Sequence, residues 1–322
     1  MRKIAVADVG GTHARFAIAE IDHGKVVSLG EPITLHTSDF SSFQTAWQEF
    51  GKRLGHDLPK ELGISFAGPV GGEMLKLTNN PWVIRPALME ERLGVTRFKI
   101  VNDFGAVGYA VAALGDEYFE HVCGPPGPMP DEGVISIVGP GTGLGVAQLL
   151  RTATDHHVIE TEGGHVDFAP LDNFEDRMLE YLRRTLRRVS VERVVAGSGL
   201  PNIYHALASF EGKRVADLDD VDLWNAAMDG TDPLAVVALD RFFLSLGAVA
   251  GDLALAHGAN AAVIAGGLGF RLKDKFATSG FADRFIAKGR FERRMQAIPV
   301  KLITHPQPGL FGAAAAYARD NP

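Results

Sequence analysis

Near the N-terminus the chain sets an aspartate directly before paired glycines: Ala7-Asp8-Val9-Gly10-Gly11-Thr12-His13-Ala14-Arg15. Adjacent glycines carry no Cβ, so backbone N–H groups can approach an anion, and Thr12 and Arg15 add donors at the same end; this is the chemistry of a phosphate cradle. Asp8 interrupts an apolar run and needs a partner where it is buried, which a Mg2+ shell reached through water or a hydrogen-bonded water would supply. Taken alone, the stretch reads equally well as an ordinary Gly-Gly hairpin. A second copy favours the cradle: residues 134–149 repeat the plan of apolar strand, Gly-rich turn holding Gly141, Thr142 and Gly143, and apolar strand. Neither copy is a P-loop, since no Gly-Lys-Ser/Thr follows, and neither has the spacing of a dinucleotide fingerprint.

Two further groups can do chemistry. Asn102-Asp103 ends a predicted strand, where ligands are held in α/β sheets, and a carboxylate there can either take a proton from a hydroxyl or cap the helix that follows. Glu162-Gly163-Gly164-His165 permits a tight turn aiming a carboxylate and an imidazole into one space, a pattern suited to the fixed hydroxyls of a sugar. Asn79-Asn80-Pro81-Trp82 is polar loop chemistry of the same kind, or simply a turn. The histidines lack metal-ligand spacing, and adjacent His156 and His157 would face opposite sides of a strand.

The elements that must position these groups are legible from periodicity. Strands are expected at residues 4–9, 16–19, 26–35, 62–67, 98–101, 261–265 and 300–303, and helices at 40–54 with an N-cap at Ser38 or Asp39, and at 105–115. Further helices start at Asp172, with Glu175 as a capping-box partner and Arg183, Arg184, Arg187 and Arg188 in its last turns, and at Asp232-Pro233, running to Gly258. Gly266-Gly267-Leu268-Gly269 reads as a third Gly-rich turn, and residues 310–318 as a small-residue terminal helix.

With 322 residues, 46% hydrophobic and 22% charged, the chain can build one large or two medium domains. Its net charge of −7 argues against a nucleic-acid or anionic-membrane partner. Cys123 is the only cysteine, which excludes a disulfide framework and fits a reducing cytosol. The apolar stretch 242–267 is interrupted by Asp252, His257 and Asn260, and reads as buried helix and strand, not as a membrane span.

The order of motifs carries a resemblance. Residues 7–12, Ile64-Ser65-Phe66-Ala67-Gly68-Pro69-Val70, Thr78-Asn79-Asn80-Pro81-Trp82, Val101-Asn102-Asp103-Phe104, Gly139-Pro140-Gly141-Thr142-Gly143-Leu144-Gly145 and Glu162-Gly163-Gly164-His165-Val166-Asp167 follow the layout of the actin-like sugar kinases. So do Ser190-Val191-Glu192-Arg193, Gly197-Ser198-Gly199 and Gly266-Gly267, and at finer grain the whole chain resembles the bacterial ATP-dependent glucokinases. His13 departs from the family, which usually has Asn there. The zinc-binding cysteine cluster of the repressor, open-reading-frame and kinase branch is absent.

The resemblance implies an α/β fold of two ribonuclease-H-like (actin-like ATPase) domains with an interdomain cleft that closes on sugar. The smaller would be residues 1–108 plus 305–322, and the larger 109–304. It implies transfer of the γ-phosphoryl group of ATP to O6 of glucose, the first step of glycolysis, with Mg2+, in a cytosolic homodimer with no nucleic-acid or membrane partner. Asp103 would be the general base, and Asn102, Asp103, Glu162, His165, Glu192 and Asn79 would hold the sugar. Ala7, Asp8, Val9, Gly10, Gly11, Thr12, Gly141, Thr142, Gly143, Gly197, Gly266 and Gly267 would line ATP, with Asp8 reaching Mg2+ through water. The alternatives are a kinase for mannose or fructose, a sugar sensor without turnover, and a polymerising actin-like ATPase.

Overall fold

Strand Arg2–Val9 has apolar residues on both sides, and its alternation sorts them into two cores. Ala5, Ala7 and Val9 pack with Phe16, Trp47, Phe50 and Phe66, whereas Ile4 and Val6 pack with Leu310, Ala314 and Tyr317. A strand buried on both faces demands a helix on each, and helices Phe43–Leu54 and Pro308–Asp320 supply them. Asp8 shares its side with Ile4 and Val6, and so faces the terminal helix.

In this computed structural model, which describes residues 1–77, 80–214 and 218–322, the chain divides into two units. The first comprises Met1–Gly115, Val158–Glu160 and His305–Pro322, the second Asp116–His157 and Thr161–Thr304. A break at 108 would cut helix Asp103–Ala113. That helix stays whole in the first unit because Gly312 of the terminal helix packs directly on Ala106.

Each unit carries one principal sheet, and the two share a strand order. In the first, Lys25–Leu29, His13–Asp22, Arg2–Val9, Glu61–Phe66 and Arg97–Asn102 lie side by side: an antiparallel hairpin, then two strands parallel to its first arm. In the second, Leu144–Arg151, Gly133–Pro140, Ala261–Ile264 and Val300–Ile303 repeat the hairpin and its two parallel strands, with Phe119–Cys123 added antiparallel at the edge. Helix Pro233–Ala256 runs through the core of the second unit with Phe242 and Leu246 fully buried, and Asp232 caps it through the N–H groups of Leu234 and Ala235.

Several boundaries differ from expectation, each for a local reason. The expected strand 26–35 is two, Lys25–Leu29 and Ile33–His36, separated at Gly30, Glu31 and Pro32. The first helix starts at Phe43, because Ser42 and Thr45 form the capping box while residues 37–39 make a 3-10 turn. Helix Asn173–Leu182 ends before the arginine cluster, and the Glu175 carboxylate takes the N–H of Leu171 instead of closing the box on Asp172. Gly266 opens a short helix, Gly266–Arg271, instead of a turn.

Asp172 caps its helix through the N–H of Glu175 and pairs at 2.7 Å with both Arg241 and Arg284. Burial pushes its carboxyl up, but the Glu175 N–H and the two guanidiniums outweigh that and hold it below the ordinary carboxylate range. A depressed folded value gives stability that is present above the unfolded value and lost as pH falls through the folded one. Asp172→Asn keeps a good cap and removes the charge. Thermal melts should therefore show wild type ahead of the variant at neutral pH, with the gap narrowing below about pH 4; a pH-independent gap would contradict the pairing.

Candidate active site

The ends of the strands bring the first set of residues together. Val9, Phe66 and Asn102 lie on one rung of three neighbouring parallel strands, so the 10–12 turn and Asp103 emerge at the same edge of the sheet. Ala7 and Val9 bury their side chains in the core, leaving only backbone to a ligand. The turn is braced from two sides: Thr37 Oγ1 and Asn80 Nδ2 both donate to the Gly11 carbonyl, at 2.7 and 3.0 Å, and the Thr37 N–H donates to Thr12 O. Asn80 in turn accepts the N–H of Trp82. Such bracing fixes the direction of the turn's N–H groups before any anion arrives.

Asp8 sits beneath this turn. Its Oδ1 accepts the Ser65 hydroxyl at 2.7 Å, and Arg15 Nη1 stands 3.5 Å from Oδ2. Burial pushes the carboxyl up, and Ser65 and Arg15 pull the other way. A Cβ on Gly309 would lie 2.9 Å from Asp8 Oδ1, so the first turn of the terminal helix, whose dipole favours an anion, abuts the carboxylate. His13 is drawn to the sheet edge, its ring 4.6 Å from that of His36. Burial first, then the charges of His36 and Arg15, lower its pKa from the usual imidazole value.

Asn102 settles the capping question left open by the sequence. Its Oδ1 accepts the N–H groups of Phe104 and Gly105 at 2.9 and 3.2 Å, and its Nδ2 donates to Gly68 O. Asn102 is thus the cap, and Asp103 is the first helical residue, its Oδ1 also taking the Phe104 N–H. Asn79 lies outside the described residues.

In the second unit other candidates meet at one residue, Leu144. Its N–H donates to Glu192 Oε2 at 3.0 Å, and its carbonyl lies where Gly164 leaves room, 2.0 Å from the place a Cβ would occupy. Turn 141–143 is closed by Gly141 N–H to Gly143 O and held by Gly197 N–H to Gly141 O, both 2.8 Å. Glu162 precedes and His165 ends the 3-10 turn Gly163–His165, both exposed, with His165 Nε2 and Glu162 Oε2 3.9 Å apart. Arg188, from the basic cluster, fastens this turn by donating to His165 O and to Asp167. Glu192 therefore touches the glycine turn, a position that no spacing in the sequence could reveal.

The remaining glycines differ in what their bareness does. Gly266, at φ +78°, stands where a Cβ would be 2.5 Å from Pro140 O, and Gly197 faces Gly141 O at 3.1 Å; both serve backbone packing. Gly267, by contrast, opens on clear space, with no atom within 4 Å of its Cβ position.

The glucokinase family profile matches residues 5–320. A glucokinase of Zymomonas mobilis is 58% identical over 316 residues, covering 98% of either chain. The chain belongs to the glucokinase family. The solved glucokinase of an Antarctic psychrotroph superposes on this glucokinase-family chain with a TM-score of 0.85 at 32% identity, covering 98% of this chain and 99% of that one. A glucokinase of the ROK family from Streptomyces griseus, solved with glucose and AMPPNP, shares the fold with a TM-score of 0.62 at 20% identity, covering 97% and 98%. The duplicated sheet order is accordingly that of an actin-like sugar kinase, in two ribonuclease-H-like domains.

Glu192 yields a prediction at this point. Removing its carboxylate in Glu192→Ala frees the Leu144 N–H and loosens turn 141–143, so the KM for ATP should rise roughly tenfold alongside that for glucose, the cost of a hydrogen bond to a charged group. Steady-state kinetics with either substrate varied checks this; an effect confined to glucose would contradict it.

Proposed function

We propose that Asp103 is the general base for transfer of the γ-phosphoryl group of ATP to O6 of glucose, the reaction of the glucokinase family. The reading is supported most by the position of Asp103: a carboxylate at the first turn of a helix that Asn102 already caps, on the same sheet edge as a braced glycine turn. The transfer needs charge neutralisation at the phosphates, an aligned acceptor and a destination for the hydroxyl proton. In this scheme the Gly10 and Gly141 N–H groups close their own turns on His13 O and Gly143 O, the remaining N–H groups of turns 10–12 and 141–143 hold phosphate oxygens, and Glu162, His165, Glu192 and the Asn102 amide orient the sugar hydroxyls. Asp103 accepts the O6 proton as the oxygen attacks phosphorus. Gly267 leaves room on the nucleotide side.

Mg2+ fits Asp8. Mg2+ keeps several waters and takes one or two carboxylates plus substrate phosphates. Asp8 offers one carboxylate among polar partners, and among the described residues no cluster of three or more His, Cys, Asp or Glu would cage a bare ion. When bound, Mg2+ neutralises phosphate charge. The enzyme is proposed to work in the cytosol as a homodimer, a state the family resemblance implies.

ADP formation by purified protein with Mg-ATP against glucose, mannose and fructose, with a no-sugar control, tests the acceptor. Turnover with glucose well above the other two is expected. Equal turnover with mannose or fructose would replace the glucose assignment with a broader hexose kinase.

A further inference from the structure

A capping box normally needs a Glu or Gln at the third helical position, whose side chain reaches back to the N–H of the capping residue. Helix Asp103–Ala113 has Gly105 there, so its own sequence cannot close the box. Glu160 closes it from elsewhere in the chain: its Oε1 accepts the Asn102 N–H at 3.0 Å. It fills the space an ordinary third residue would need, for a Cβ on Gly105 would fall 2.2 Å from Oε1 and 2.8 Å from Cγ. One turn later Gly108 makes way for Val158 in the same manner, at 2.6 Å, so residues 158–160 lie along the helix at positions i and i+3.

We infer that Glu160 is a positioning residue for phosphoryl transfer, holding the corner formed by Asn102 and Asp103 through a capping box assembled from two separate segments. The inference rests on the general-base role of Asp103. Asn102 Oδ1 secures the helical N–H groups, Glu160 secures the N–H of Asn102 itself, and the peptide joining Asn102 to Asp103 is thereby pinned on both sides. A base misplaced by a fraction of an ångström transfers protons less well without weakening substrate binding to match.

The test is kinetic. Glu160→Ala should lower kcat roughly tenfold, a larger factor than any rise in the KM for glucose, with the KM for ATP and the melting temperature held near wild type, and Glu160→Gln, which keeps the acceptor oxygen, should restore most of the loss. Gly105→Ala should match Glu160→Ala, because its methyl displaces the flexible carboxylate, and should add nothing when combined with it. Unchanged kcat in Glu160→Ala, or a Gln variant as slow as the Ala variant, would overturn the inference. Asp103→Asn measured alongside separates the readings: if it is inactive while Glu160→Ala is normal, only the positioning role fails; if it is fully active, the general base itself is wrong.

Discussion

Asp103→Asn should reduce kcat by about 10²–10⁴-fold, the usual contribution of a positioned general base, while glucose still binds. The substitution is nearly isosteric and its side-chain oxygen can still accept the Phe104 N–H, so the helix start has no cause to move. What disappears is the capacity to take up the O6 proton. Loss seen in kcat with glucose affinity kept, by calorimetric titration, identifies an interaction made in the transition state. A sugar sensor on the same fold predicts no turnover in wild type to lose. A capping role alone predicts a drop in stability with normal kcat, and the capping by Asn102 already argues against it.

The largest effect on stability should come from Gly312→Ala. A Cβ there would lie 1.7 Å from the Ala106 carbonyl oxygen and 2.5 Å from its carbon, both backbone atoms that no rotamer change can clear. The terminal helix would have to lift from helix Asp103–Ala113, disturbing Leu310, Ala314 and Tyr317 in the core beneath. Overpacking at this level costs about 3 kcal/mol. Because the same helix brings Gly309 against Asp8, activity should fall as well. Gly267→Ala is the matched comparison: with no atom within 4 Å of its Cβ position, it should melt like wild type and show a raised KM for ATP. Equal melting temperatures for the two variants would contradict the packing described.

How far the sequence reached can be seen at individual residues. The two hairpins, the 300–303 strand and the cap at Asp232 were readable because each is a local pattern: alternation, paired glycines, an Asp-Pro start. The first helix was misplaced by three residues because Ser38, Asp39 and Ser42 are all competent caps, and only the tertiary contact that turns Thr37 onto Gly11 leaves Ser42 to do it. Asp103 was legible as a candidate, but its separation from capping duty depends on Asn102 Oδ1 geometry. Thr37 carried no signal at all, and Asn80 was visible only within a motif, not as the donor that braces Gly11. Glu160 is further from view still. It acts on Asn102 from 58 residues away, and the trace it leaves is a glycine at a helical position where a side chain would be the better choice.

Phosphorus NMR of the reaction with Mg-ATP tests the central claim most directly, comparing glucose, 6-deoxyglucose and no sugar. With glucose, one glucose 6-phosphate should form per ADP, and with 6-deoxyglucose or no sugar neither should accumulate. ADP released without a sugar, or phosphate found on any oxygen other than O6, would contradict the account.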